Sequence, residues 1–286
     1  MPKRLLICYA HPDDESFGLG GLISKYVSEG VDVYYLCATN GDVGTVAPEL
    51  LNGYKSVAEL RLAELDAASK ILGFKHVYKL GYKDSGMMGS PENDDPESLW
   101  YAGQHKPAEV VRRVVEAIRE TRPHVIITFN KYGGYGHPDH IAIQRATTEA
   151  FQKAGDPQYA TGHEAWQPQK LYYSSVARWP VRYGIWRTRL RRQNPRQLGR
   201  NKDIDIVKIL ENAEPVHTRV DIRRWFDAWD AAGAVHVSQL GGGTWRIPKR
   251  LRPYLTPYQM FTRIHPPPSR NRIDEQDLFV GVTVED

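Results

Sequence analysis

Apolar runs alternate with amphipathic stretches through the first 155 residues of the chain. Four short runs, Arg4–Ala10, Val31–Thr39, His76–Leu80 and His124–Phe129, are rich in Val, Ile, Leu and Tyr and lack strict polar/apolar alternation. Runs of this kind are expected of strands covered on both faces. Between them the spacing predicts helices at Leu19–Glu29, Tyr54–Leu72, Pro107–Arg122 and Pro138–Lys153. In the second, Leu60, Ala63, Glu64, Ala67, Ala68 and Ile71 recur at helical intervals until Gly73 stops the pattern. The order βαβαβαβα predicts an α/β fold: a Rossmann-like, mostly parallel sheet flanked by helices and joined by right-handed crossovers. Beyond about residue 155 the pattern weakens. Lys170–Val176 reads as a strand, Ile222–Val235 as a helix and Asp277–Val284 as a final strand, forming a C-terminal cap and edge.

Composition narrows the class. With 286 residues, 41% hydrophobic and 25% charged, the chain has ordinary globular usage, which excludes disordered, collagen-like and disulfide-scaffold readings. No stretch reaches the roughly 18 apolar residues of a membrane span, and the apolar run after Met1-Pro2-Lys3-Arg4 is too short for a signal segment. Cys8 and Cys37 lie inside apolar runs, where a thiol behaves as a small buried hydrophobe, so a reducing, cytoplasmic setting is expected. The net charge of +4 is uneven: Arg178–Lys202 holds eight arginines, one lysine and no acid, which leaves the remainder of the chain at −5.

In a parallel α/β sheet, loops at the carboxyl ends of strands build the site. A nucleotide-binding member would carry glycines directly after the first strand. Here that position holds His11-Pro12-Asp13-Asp14-Glu15, whose three carboxylates repel phosphate, and Gly18-Leu19-Gly20-Gly21 comes too late to be the first turn. An imidazole beside carboxylates suits a divalent metal such as Zn²⁺ or Fe²⁺. Alone, the motif is equally read as a carboxylate capping the next helix beside an incidental histidine. A second motif follows the fourth strand, Gly133-Gly134-Tyr135-Gly136-His137-Pro138-Asp139-His140, with Pro138 suited to a first helical turn. Two His-Pro-Asp-X tetrapeptides, each after a buried strand of one sheet, converge on a metal site.

These residues resemble the PIG-L/LmbE-like zinc-dependent deacetylases, which act on N-acetylglucosamine-containing molecules. The resemblance covers roughly residues 4–155 and resumes more weakly at His217–Ile222 and His236–Gln239, a segment similar to the family's C-terminal helix region; residues 156–215 match nothing recognisable. It implies His11, Asp14 and His140 as metal ligands, Asp13 as general base, and His137 as a protonated imidazole facing the developing oxyanion. It further implies Asp139 as the group orienting His137, and Tyr135 near the reacting carbonyl. Spacing alone does not separate Asp13 from Asp14 as base and ligand. Arg61-Leu62-Ala63-Glu64-Leu65 and Tyr82-Lys83-Asp84-Ser85-Gly86-Met87 are similar to the branch holding the mycothiol-pathway deacetylase and the mycothiol S-conjugate amidase, which implies Arg61 and Asp84 as substrate contacts. Otherwise Arg61 is a surface helix residue paired with an acid, and Asp84 a turn residue. Glu15 is open between a bond to a ligand and helix-end stabilisation. His217 and His236 read as structural histidines, and His76, His105, His124 and His163 as surface or strand-end residues.

The expected function is metal-dependent deacetylation of an N-acetylglucosamine-type conjugate, with Zn²⁺ as cofactor and Fe²⁺ or another divalent ion as the alternative. Residues 1–155 form the catalytic core, and 156–286 complete the same domain and shape the pocket. Two rivals stand: an amidase taking a larger acyl group, and a non-catalytic sugar- or nucleic-acid-binding module on the same scaffold. Pocket width, set by residues about 156–215 and 241–275, separates the two enzymes, while the presence of every proposed ligand and of the base argues against the binding module. The basic stretch reads as a loop or short helix: a solvated segment, a lid for an anionic aminosugar conjugate, or a contact to nucleic acid or anionic membrane. No nucleic-acid-binding module is recognisable, so that partner is not expected; a homo-oligomer is left open.

Overall fold

The computed structural model describes residues 1–199, 202–239, 252–255 and 257–284. Strands β1 (Arg4–Tyr9), β2 (Asp32–Thr39), β3 (His76–Tyr82), β4 (Val125–Thr128) and β5 (Lys170–Ser175) run parallel. Two further strands, β6 (Thr218–Asp221) and β7 (Tyr258–His265), extend the sheet; β7 is antiparallel to β5 and β6 antiparallel to β7, giving the order β3-β2-β1-β4-β5-β7-β6. The helices are α1 (Asp14–Ser28), α2 (Val57–Leu72), α3 (Leu99–His105), α4 (Pro107–Thr121), α5 (Gly133–Gly136), α6 (Pro138–Lys153), α7 (Arg178–Leu190), α8 (Ile206–Glu211) and α9 (Phe226–Ala234). They pack in two main groups against the sheet, α1 with α2 and α9, and α4 with α6 and α3.

The chain leaves β1 toward β2 and β3, then returns to place β4 on the opposite side of β1. Leu5, Leu6 and Ile7 pair there with Val125, Ile126 and Ile127, all six fully buried. The loops after β1 and β4 therefore diverge from one crevice, the switch point at which open α/β sheets bind ligands.

Helix α1 begins at Asp14, directly after the first motif, rather than at Leu19. The glycines that obscured its pattern serve packing. A Cβ on Gly20 would lie 2.5 Å from Trp229 Cδ1, and one on Gly21 would lie 3.1 Å from Ile222 Cδ1, so the doublet lets α9 and the turn before it close on α1.

Three expectations for the C-terminal part differ from the structure. His217–Ile222 is not helical, because Thr218–Asp221 forms β6. The expected helix at Ile222–Val235 is a 3₁₀ turn at Arg223–Trp225 followed by α9. Asp277–Val284 is not a strand. The Asp277 carboxylate accepts the Phe279 N–H at 2.8 Å and Gly281 takes a φ of 73°, so the segment turns and drops Leu278 and Phe279 into the core. Its place in the sheet is taken by β7. Residues 241–251 of the expected pocket-shaping region lie outside the described residues, as does Arg200 of the basic stretch.

Glu275 fastens this edge. Its carboxylate accepts from Lys170 Nζ (2.6 Å) and Tyr172 OH (2.6 Å) on β5, and from Thr218 Oγ1 (2.8 Å) on β6, and lies 2.7 Å from Arg263 Nη1 on β7. Burial raises a carboxyl pKa, but the bonds from Lys170, Tyr172 and Thr218 outweigh it and hold Glu275 below its ordinary value. Glu275→Gln is expected to cost about 3 kcal/mol at neutral pH, because Lys170 remains buried without its counter-charge, while Arg263 keeps Asp274. Since folding lowers this pKa, the stabilisation is complete above the unfolded value of about 4.3 and fades as pH falls through the lower folded value. Denaturant titrations of the two proteins should therefore converge in acid. A gap that stays constant down to strongly acidic pH counts against an ionised Glu275.

Candidate metal centre

The loop after β1 is set by its own acids. The Asp14 carboxylate accepts the His11 N–H at 2.7 Å, and Tyr35 OH donates to the His11 carbonyl at 3.0 Å. Asp13 takes a φ of 141° and ψ of −24°, a conformation that costs a non-glycine residue about 1–3 kcal/mol. Its N–H donates to Glu15 Oε2 at 3.0 Å. Glu15 is wholly buried: Oε1 accepts from Ser16 Oγ (2.6 Å) and faces His236 Nε2 at 2.8 Å.

After β4 the chain makes a glycine loop. Asn130 accepts from Gly133 and Gly134 N–H, both at 2.8 Å. Gly133 has a φ of 66°, and a Cβ there would strike His140 Cβ at 2.9 Å. His137 caps α6, its Nδ1 accepting the Asp139 N–H at 3.2 Å, so His140 lies in the first turn of that helix. Phe129 stacks on the His140 ring at 3.8 Å and on Tyr9 at 4.0 Å, fixing the imidazole plane.

Donor atoms of three residues then meet, each Asp14 oxygen facing a different imidazole. His11 Nδ1 is 3.1 Å from His140 Nε2 and 3.3 Å from Asp14 Oδ2, and His140 Nε2 is 3.5 Å from Asp14 Oδ1. Ligand atoms held tetrahedrally at about 2.0–2.1 Å from one ion stand roughly 3.3–3.4 Å apart, so each of these contacts has the right size. The opposite ring nitrogens are engaged: His11 Nε2 lies 3.2 Å from Asp139 Oδ2, and His140 Nδ1 3.1 Å from the Gly133 carbonyl. Each outer bond makes that nitrogen the N–H and leaves a lone pair on the one facing its partner, the tautomer a metal requires. The residues present fit a divalent ion with N,N,O preference. Besides the three imidazoles of His11, His137 and His140, the group His11, Asp84, His137 and Asp139 is also close enough to hold an ion. Its carboxylates accept hydrogen bonds as Asp14 does, Asp139 from the N–H and Oγ of Ser85 and Asp84 from the Gly86 N–H.

Arg61 runs behind the site. It reaches the carbonyls of Gly41 (2.8 Å) and Pro12 (3.1 Å), Asp13 Oδ2 at 3.1 Å and Asp84 Oδ2 at 3.7 Å, while its buried Nε has no hydrogen-bond partner. Arg61 is thus a buried crosslink rather than a surface helix residue. Tyr135 sits edge-on to His140 at 5.1 Å.

Charge is unevenly shared here. Burial disfavours charge on His11, but Asp84, Asp139 and Asp14 outweigh it and lift its pKa well above the ordinary value. Asp14 and Asp84 are held well below the usual carboxylate range despite their burial, Asp14 by His140 and His11, and Asp84 chiefly by His11. Burial pushes Asp13 up to about 7 against the pull of Arg61. Burial, with His11, lowers His140 to about 4 and His137 to about 3.

The nine residues expected at the site all come together. One relationship differs: the Asp139 carboxylate lies against His11, and stands 3.9 Å from His137 Nδ1, because that nitrogen accepts the Asp139 backbone N–H instead. Sequence reasoning passed over Ser85, which holds Asp139, and the pair formed by His236 and Glu15. His236 is a bonded, buried histidine as expected, yet its partner belongs to the site. Nearby, Ser238 N–H and Oγ bind the Glu64 carboxylate at 2.8 and 2.6 Å. His124 stands at the strand end before β4, as expected, and is buried, its Nδ1 accepting the Arg4 N–H at 3.0 Å.

The family described as PIG-L, GlcNAc-PI de-N-acetylase, matches residues 6–151. The 1D-myo-inositol 2-acetamido-2-deoxy-alpha-D-glucopyranoside deacetylase of Geodermatophilus obscurus is 37% identical over 255 residues, covering 83% of this chain and 83% of that protein. The protein of the same name from Nocardiopsis dassonvillei is 33% identical over 290 residues, covering 97% of this chain and 100% of that protein, so the likeness extends through the C-terminal part. The solved structure of N,N'-diacetylchitobiose deacetylase from Pyrococcus horikoshii shares the fold, with a TM-score of 0.60 at 20% identity over 93% of this chain and 87% of that one. With both motifs in their expected places in the sheet and relatives matching across most of its length, the chain belongs to the PIG-L family.

Proposed function

We propose that the protein is a metal-dependent hydrolase that removes the acetyl group from an N-acetylglucosamine conjugate. The triangle of His11 Nδ1, His140 Nε2 and the Asp14 carboxylate carries this reading, with Asp13 beside it. In it His11, Asp14 and His140 hold the ion, Zn²⁺ being the first candidate and Fe²⁺ the second. A divalent ion bound there supplies Lewis-acid activation of water and of the amide carbonyl.

The side chains supply the rest. Asp13 takes the proton of the attacking water. A carboxyl lifted to about 7 both accepts and returns a proton near neutral pH, so the same group passes it to the amine nitrogen as the C–N bond breaks. The products are acetate and a free amine. His137 donates to the amide oxygen from Nε2, because Nδ1 is occupied by the Asp139 N–H. Its depressed pKa favours a neutral donor over the imidazolium that the resemblance implied. Asp139 orients His11, and Tyr135, kept a phenol by burial, lines the same wall. Arg61 holds Asp13 and, with Asp84, is the proposed contact to the sugar. The inositol glycoside named for the relatives is the first substrate to offer.

Residues 1–155 supply every proposed catalytic group, and 156–286 complete the unit through His236 and Ser238. No helix among the described residues is long and apolar enough to cross a membrane. Two buried free thiols suit a reducing, cytoplasmic setting.

Metal-analysed protein should release acetate from N-acetylglucosamine glycosides, including the inositol conjugate; a chelator should stop it and added Zn²⁺ restore it. Metal-loaded protein that frees only a larger acyl group is an amidase of the second kind, and protein that binds no metal overturns the mechanism. Asp13→Ala should keep its metal and lose about 10²–10⁴ in kcat, whereas His140→Ala and Asp14→Ala should lose metal affinity. Loss of metal in Asp13→Ala with retention in Asp14→Ala would reverse the assignment of the pair.

A further inference from the structure

The basic stretch forms a helix whose outward face is apolar. In α7, Trp179, Tyr183, Trp186 and Leu190 are 66, 53, 57 and 68% exposed, against burial of Ile185 on the inner side. At about 100° per residue these four side chains fall within a 60° arc along roughly 17 Å of helix, and the Tyr183 and Trp186 rings touch at 5.6 Å. Exposed Arg182 and Arg189 flank the stripe on one side and Arg187 on the other, with exposed Arg191 and Arg192 following the helix. Among the described residues none of these five arginines makes an ion pair, whereas Arg196 is neutralised by Asp205 and Glu211. Other tryptophans are tied into the fold: Trp166 Nε1 donates to the Pro123 carbonyl and Trp225 Nε1 to Ser28 Oγ.

We propose that α7 is an interfacial helix by which the protein docks on an anionic lipid surface. A Trp/Tyr/Leu crest between rows of arginine is the composition that lies at the headgroup boundary, rings in the interface and guanidinium groups on lipid phosphates. A second copy of this chain fits poorly, since pairing the stripes sets arginine against arginine. Nucleic acid fits less well too, because the crest that would meet its phosphates is apolar and the charges stand behind it. The helix follows the carboxyl end of β5, the end that carries the metal site, and α8 packs between α7 and the glycine loop of α5. Docking on α7 therefore brings the site within one element of the headgroups. The inference stands on surface composition alone and is independent of the proposed reaction.

The test is co-sedimentation of the full chain with vesicles of phosphatidylcholine alone or with about one third phosphatidylglycerol. Wild type should partition at least about tenfold more strongly onto the anionic vesicles, and less so as salt rises. Trp179→Ser with Trp186→Ser should reduce binding to anionic vesicles about tenfold or more, and Arg182→Glu with Arg187→Glu should abolish the preference for anionic lipid. All four side chains are exposed, so thermal unfolding midpoints should match wild type and separate loss of docking from loss of fold. Wild type that stays in solution with anionic vesicles, or variants that bind them as wild type does, overturns the proposal. Binding to single-stranded oligonucleotide without binding to vesicles also overturns it and assigns the helix to nucleic acid.

Discussion

Four carboxylates, Asp13, Asp14, Asp84 and Asp139, converge at one end of the sheet, and among the described residues the one permanent cation in contact with them is Arg61. Buried charge that lacks a partner costs several kcal/mol per ion, so such a cluster must recruit positive charge or give up its own. Both responses are visible. His11 is drawn toward its charged form by three acids, and Asp13, despite Arg61, is pushed toward its neutral form. The divalent cation proposed between His11, Asp14 and His140 would answer the same imbalance at its centre. Backbone and hydroxyl donors hold the outer acids, with Ser85 on Asp139 and Gly86 on Asp84.

Topology makes that concentration of charge possible. The two histidine loops are about 125 residues apart in sequence but leave adjacent strands at the switch point. The C-terminal part then locks the arrangement from outside. His236 reaches Glu15, whose other oxygen takes the N–H of Asp13, and Ser238 reaches Glu64, one turn from Arg61 on α2. Asp13 keeps its unfavourable backbone angles because Glu15 holds the N–H on one side and Arg61 holds the carboxylate on the other. Strain of this kind persists only where surrounding contacts over-determine it.

The parallel half of the fold and the convergence of the two histidine loops were legible because their signals are local. Each strand is a continuous apolar run, and each motif sits within a few residues of a strand end. Legibility fell where an outcome depends on partners distant in sequence. The apolar residues of Asp277–Val284 resemble a strand, yet the Asp277 turn and Gly281 redirect them into the core, and β7 takes the sheet position through pairing with β5 and β6. Glu15 and His236 are 221 positions apart, and neither announces the other. The orientation of Asp139 toward His11 was hidden for a subtler reason. The i,i+2 neighbour His137 looks like its natural partner in sequence, but the helix start gives His137 the backbone N–H and frees the carboxylate to turn inward.

Charge separation along the chain has a spatial counterpart. The acids of the site and the arginines of α7 lie at the same end of the sheet with α8 between them. Asp205 caps α8 and, with Glu211, pairs with Arg196, so the boundary element is internally neutral and screens neither side. An acidic cavity repels an anionic surface or an anionic substrate, and the cost falls with distance over about one Debye length, near 8–10 Å at physiological salt. A basic helix one element away adds positive potential to that end of the sheet without pairing with the acids of the cavity. This division explains why the positive charge is concentrated in one exposed helix instead of being spread over the rim. An arginine within reach of Asp14 would pair with the carboxylate that the proposed ion needs, as Arg61 already pairs with Asp13.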